Sequence, residues 1–162
     1  MLTKKATLAA AMIALSCVPV PGAELATKWT LTLAVAKQLA QAAEAEAAKN
    51  QWTMVTAIVD DGGNLIYLQR MDETQIGSID VAQRKAQSAL KFKRPTKAFE
   101  DAVAGGRTVV MTLPGALPVE GGIPIVAEGR IIGAIGVSGG TSPQDGQVAK
   151  AALDALPRIL GK

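Results

Sequence analysis

The chain has 162 residues, with 17 basic and 14 acidic side chains, one cysteine and no histidine. That composition excludes a Ser-His-Asp triad and a Cys/His zinc site, and it offers haem no proximal histidine. The net charge of +3 falls to +1 once Lys4 and Lys5 are set aside, so no basic footprint for nucleic acid or an anionic membrane remains.

The chain starts with Lys4 and Lys5, an apolar run from about Ala6 to Val18, and small residues around Val20, Gly22 and Ala23. These are the three parts of a secretory signal peptide, and the apolar run is shorter than the roughly 20 residues a bilayer span needs. The pattern predicts a leader over 1–23, one domain over 24–162, and a periplasmic or secreted product without a membrane span. Cys17 falls in the leader, so packing rather than disulfides is expected to hold the domain.

Trp29 to Lys49 is alanine-rich without Gly or Pro, and Leu31, Val35, Leu39 and Ala42 recur at helical spacing, which predicts a long first helix. "TMVTAIVD" (53–60) and "LIYLQR" (65–70) flank "DGGN" and read as a β-hairpin. Ser78 is expected to cap a helix with Ile79, Ala82, Ala86 and Ala89 inside and Gln83, Arg84 and Gln87 outside. Thr96 is expected to cap a second, short helix ending at Gly105-Gly106.

"TVVMTL" (108–113) reads as a third strand. Residues 123–127 and 130–137 flank Glu128-Gly129 as a tight hairpin. Ser142 as cap, Pro143 at the first helical position and Asp145 three residues after the cap open a last helix. The order α-β-β-α-α-β-β-β-α lacks sustained β-α-β alternation, so an α+β fold is expected, with a mainly antiparallel five-stranded sheet flanked by helices.

Gly133 and Gly136 interrupt an apolar strand, which is expected where something comes close to the backbone. "SGGTSPQD" is a strand-to-helix turn in which Ser138 and the amides of Gly139 and Gly140 could form an anion-receiving nest. Arg70, Met71 and Asp72 end a strand: Arg70 offers a planar fork for carboxylate, and Met71 a thioether for flat rings or soft metal. Acid–base work would fall to Asp, Glu, Lys or Tyr67. Asp60 reads most simply as a turn residue, and Lys85 as a surface charge.

Together, "VDDGGNLIYLQRMDE", "SIDVAQRKAQSAL" and "GGIPIVAEGRIIGAIGVSGGTSPQDGQVAKAAL" resemble the GlcG/HbpS family over about Leu31 to Leu156. The resemblance implies an antiparallel sheet flanked by helices, assembly into dimers and higher homo-oligomers, haem binding in some members, and no settled catalytic activity. It carries Asp60, Gly62, Gly63, Arg70, Met71, Asp72, Lys85, Gly122, Pro124, Gly136, Ser138 and Asp145 as family positions.

The expected role is an exported, oligomeric small-molecule-binding protein, taking haem or another tetrapyrrole without a histidine ligand through Met71, Tyr67 or no axial ligand at all. The alternative is an enzyme or accessory subunit acting on a small carboxylate, with Asp60 or Asp72 as base and Arg70 or Lys85 as anion clamp.

Overall fold

A computed structural model describes residues 22–162. All but the last two residues of the expected leader lie outside that range. The first helix, α1 (Leu33–Lys49), starts four residues later than the alanine-rich stretch suggests. Thr32 caps it, its hydroxyl accepting from the Val35 amide at 3.4 Å. The preceding segment is instead tied to the sheet, where the Leu31 amide donates to the Ile132 carbonyl at 3.2 Å. The buried face of α1 consists of Leu39 and four alanines, Ala36, Ala40, Ala43 and Ala47, whose small side chains let the helix lie close to its neighbours.

Strands β1 (Val55–Asp60) and β2 (Leu65–Arg70) form the expected hairpin, pairing Val55 with Arg70 and Ile58 with Tyr67. The Asp60 carboxylate closes the turn by accepting from the amides of Gly62 (2.8 Å) and Asn64 (2.9 Å). Helix α2 (Ser78–Phe92) has no side-chain cap, because the Ser78 hydroxyl is turned inward against that of Ser138 at 3.3 Å. Likewise the hydroxyl of Thr96, before α3 (Lys97–Ala104), accepts from the Gly122 amide at 2.9 Å rather than capping the helix. Both residues were expected as caps; long-range partners claim their hydroxyls instead.

The sheet has four strands, not five. Thr108–Thr112 is a 3-10 turn, closed by local bonds such as the Leu113 amide to the Val110 carbonyl at 3.3 Å. Alternating Val109, Met111 and Leu113 look like one strand face, yet all three are exposed. The segment finds no sheet edge, and without a partner strand its backbone groups are satisfied by short-range bonds.

Strands β3 (Gly122–Ala127) and β4 (Arg130–Ser138) are joined by Glu128 and Gly129. Both have positive φ (49° and 72°), as a primed two-residue hairpin turn requires. The order is β2-β1-β4-β3 and every pairing is antiparallel.

Helix α4 (Ser142–Asp154) is capped by Thr141, one residue before the expected Ser142. The Gln144 side chain reaches back to the Thr141 amide at 2.9 Å. A short α5 (Leu156–Ile159) ends the fold. Among the described residues no helix is long and apolar enough to cross a membrane.

The two faces of the sheet are covered differently. Met54, Ile58, Ile125, Ile135 and Val137 pack against Leu39, Val148 and Ala152 of α1 and α4. On the opposite face, Val55, Ala57, Val59 and Ala134 meet Ala82, Ala86 and Ala89 of α2, with Leu68, Ile79 and Leu90 packed at the edges. A side chain at Gly136 would begin 2.0 Å from the Ala82 carbonyl oxygen and 2.5 Å from the Ala86 nitrogen, and one at Gly122 2.3 Å from the Lys85 carbonyl. The helix backbone therefore rests directly on the sheet, which explains why a glycine interrupts the apolar strand at position 136.

Candidate functional site

Close approach of α2 seals Lys85 into the interior. It stands on the sheet-facing side of the helix, completely buried, in contrast to the surface charge its sequence context suggests. Its Nζ donates to Asp145 Oδ2 at 2.6 Å and to the Val137 carbonyl at 3.1 Å. The other Asp145 oxygen accepts from the Gly140 amide at 3.0 Å. The pair thus ties α2, the end of β4 and the first turn of α4 together. Burial pushes the Asp145 carboxyl above its ordinary value, opposed by the Lys85 ammonium and by the amides of Gly140 and Gly139. No described cleft opens onto this pair; its geometry is that of an internal clamp.

The other sequence-selected residues fall into separate places. Arg70 and Ser138 flank Val55 from opposite sides, so they share one face and one end of the sheet, roughly 10 Å apart across two strand spacings. Arg70 is exposed, with Nη1 donating to the Thr74 carbonyl at 3.3 Å. Asp72 is exposed beside it. Met71 is half-buried, its amide bonded to the Met54 carbonyl and its side chain packed on the main core.

Gly139 continues this end, where a side chain would begin 2.4 Å from the Thr53 carbonyl. Gly122, Pro124 and Gly136 are buried in β3 and β4. Pro124 is tolerated because β3 is an edge strand. Tyr67 lies toward the α1 side, its hydroxyl donating to Gln69 Oε1 at 2.9 Å while Gln69 bonds to Glu44 of α1. Asp60 lies at the far end of β1, roughly 17 Å from Val55 by strand rise. Burial raises its carboxyl, but the bonds from Asn64 and Gly62 outweigh that and hold it below its ordinary value.

Three open clefts lie elsewhere, along α2, one of them on its bare outer side, lined by Asp80, Val81, Gln83, Arg84 and Gln87; the other two have a facing wall. The larger of these two, of about 570 Å³, sits between the β1–β2 turn, the end of α2 and the β3–β4 hairpin, and is lined by Lys28, Asp61, Lys91 and Lys93 with Leu90 and Ile131 as apolar floor. Asp61 is paired to Lys28, and that bond together with one from Thr30 holds its carboxyl low. The smaller, of about 340 Å³, lies between α2 and the loop after the 3-10 turn, lined by Arg84, Gln87, Lys91, Gly115, Ala116 and Leu117. Neither Met71 nor Tyr67 lines either cleft. Spacing along α2 puts Arg84, Gln87 and Lys91 on its outer side, but the walls facing them come from segments distant in sequence, and no local signal marks those.

Comparison with known proteins places this architecture. A family model for HbpS-like haem degrading proteins matches residues 31–154. GlcG of Escherichia coli K12 is 43% identical over 112 residues, covering 69% of this chain and 84% of GlcG. A solved double mutant of Streptomyces reticuli HbpS superposes with a TM-score of 0.75 at 34% identity, covering 88% of this chain and 98% of HbpS. A solved complex of PduOC with haem superposes with a TM-score of 0.70 at 29% identity, covering 78% of this chain and 94% of PduOC. With the four-stranded antiparallel sheet, the helix resting on Gly136 and a family match over most of the described domain, the chain belongs to the HbpS-like family.

Proposed function

We propose that this protein is an exported, oligomeric binding protein for a flat, partly apolar anion, held in the lysine-rimmed cleft beside α2. The observation that carries this reading is the cleft's composition: Leu90 and Ile131 supply an apolar surface, and Lys91 and Lys93 stand at the rim with no ion pair among the described residues. Its volume falls within the range of small-molecule sites, and an apolar lining with a few convergent polar groups is their usual make-up. A carboxylated tetrapyrrole has matching chemistry, and the haem complex of PduOC supports that class of ligand.

The residues present fit the ring and its propionates but not axial ligation of the iron. The chain has no histidine and its one cysteine is Cys17. Met71 packs on the core, Tyr67 is bonded to Gln69, and no methionine or tyrosine lines the cleft. Recognition therefore rests on lysine–carboxylate contacts and apolar burial.

Titration of tag-free protein with haemin and with metal-free protoporphyrin should give affinities within about threefold of each other, since a tenfold difference would need 1.4 kcal/mol of extra interaction. Lys93→Gln should weaken both by about tenfold, the scale of one charge-assisted contact. A preference for haemin of about a hundredfold or more would show iron ligation and overturn this mode; failure of both to bind would overturn the proposed ligand class.

The tripartite start of the sequence supports export, and the exposed Val109, Met111 and Leu113 support burial against another copy. Intact mass of the exported protein should show loss of about 22 or 23 residues, and light scattering should show an oligomer. Retained Met1 would count against export, and a monomer at tens of micromolar, a concentration that would populate a typical specific interface, against assembly.

The carboxylate-enzyme alternative has less geometric support. Asp60 is occupied in its turn, and Lys85 is sealed away from Arg70 and Asp72.

A further inference from the structure

We infer that the smaller cleft, between α2 and the Gly115–Leu117 loop, is a separate site for a small dianion, a dicarboxylate or phosphate, and that it shares Lys91 with the lysine-rimmed cleft. Arg84, Gln87 and Lys91 stand at i, i+3 and i+7 along the outer side of α2, and helical spacing puts them on one face. The lining holds two cations, one amide and no carboxylate. A ligand carrying two negative charges neutralises it.

Lys37 and Lys93 lack an ion pair among the described residues, but Arg84 and Lys91 are the unpaired cations that line this cleft. Lys28, Lys97, Lys150 and Lys162 each have a carboxylate partner. Arg84 and Lys91 have no ion pair or hydrogen bond among the described residues, although Asp80 lies one turn before Arg84.

The opposite wall is held in place. The Leu117 amide donates to the Ser88 hydroxyl at 3.0 Å and the Ala116 amide to the Leu113 carbonyl at 3.0 Å. Gly115, with φ of +84°, lies against the Lys91 stem, whose Nζ and Cδ are 3.4 and 3.5 Å from where a side chain would begin. Lys91 is therefore folded over the loop at the mouth of the cleft. Because the same ammonium lines the larger cleft, occupation of either site withdraws it from the other, and the two ligands are expected to weaken each other reciprocally.

Calorimetric titration of the tag-free full chain at low ionic strength, without any porphyrin, tests the site independently of the tetrapyrrole reading. Succinate, inorganic phosphate and acetate are the probes. At least one dianion should saturate below about 10 mM, with acetate at least about tenfold weaker; whichever dianion binds more tightly names the source. Arg84→Gln should weaken dianion binding at least about tenfold and leave protoporphyrin binding unchanged. Lys91→Gln should weaken both, and Arg107→Gln, exposed and outside the cleft, neither. No saturable dianion binding, acetate binding as well as the dianions, or unchanged binding by Arg84→Gln would overturn the inference.

Discussion

Lys85→Met is expected to destabilise the protein by about 3–5 kcal/mol, the cost of leaving one member of a buried ion pair without its partner. At this chain length that lowers the melting temperature by on the order of 10 °C. The variant keeps the apolar stem but leaves the Asp145 carboxylate buried, with only the amides of Gly140 and Gly139 as partners.

The loss should depend on pH. Burial already pushes the Asp145 carboxyl above its ordinary 3.8, and without the ammonium nothing charged opposes that. A carboxyl whose folded pKa stands above its unfolded value contributes most below the unfolded value, and that contribution is lost as pH rises through the folded value. The deficit of Lys85→Met is therefore expected to be largest near neutral pH and to shrink on acidification toward about 4. Paired replacement, Lys85→Met with Asp145→Leu, should recover much of the loss, since an apolar pair of similar volume replaces a buried ion pair at little cost. Denaturant melts of the wild type, both single variants and the double variant measure this coupling. A fully stable Lys85→Met at pH 7 would show that the pair does not clamp the three elements.

The second large effect is expected at Gly136. An alanine methyl there would meet the Ala82 carbonyl oxygen at 2.0 Å and the Ala86 nitrogen at 2.5 Å. These are backbone atoms, so no rotamer change can make room and α2 itself must move. Overpacking a tight contact in this way costs about 3 kcal/mol or more. Lys85 rides on that helix, so Gly136→Ala should also loosen the Lys85–Asp145 pair. Gly77→Ala is the comparison: nothing lies within 4 Å of the added methyl and the backbone is helical there, so the change should stay within about 0.5 kcal/mol. Equal melting curves for the two variants would mean that α2 does not rest on the sheet as described.

The local elements were legible in the chain because local chemistry specifies them. "DGGN" and "EG" between apolar runs encode the two hairpins, and the alanines of α2 encode a helix with one narrow apolar face. Glycine in β4 foretold a close approach, although the segment that approaches is distant in sequence. The five-strand expectation failed at Thr108–Leu113, where an alternating pattern met no partner edge. A strand depends on pairing that its own residues cannot supply.

Ser78, Thr96 and Lys85 mislead for a related reason. Two hydroxyls suited to capping and one lysine among exposed neighbours have properties that fit the surface, but tertiary contacts with Ser138, Gly122 and Asp145 take them inside. The clefts follow the same division. Gln83, Arg84 and Gln87 were readable as the outer face of a helix, but whether an outer face is bare surface or the wall of a site depends on what stands opposite. Composition alone determined which chemistries this chain lacks, by the absence of histidine and of cysteine beyond Cys17, and periodicity determined its hairpins and helices. Only the tertiary structure decided which charges are buried and which face a cleft, because burial is set by contacts between segments far apart in the chain.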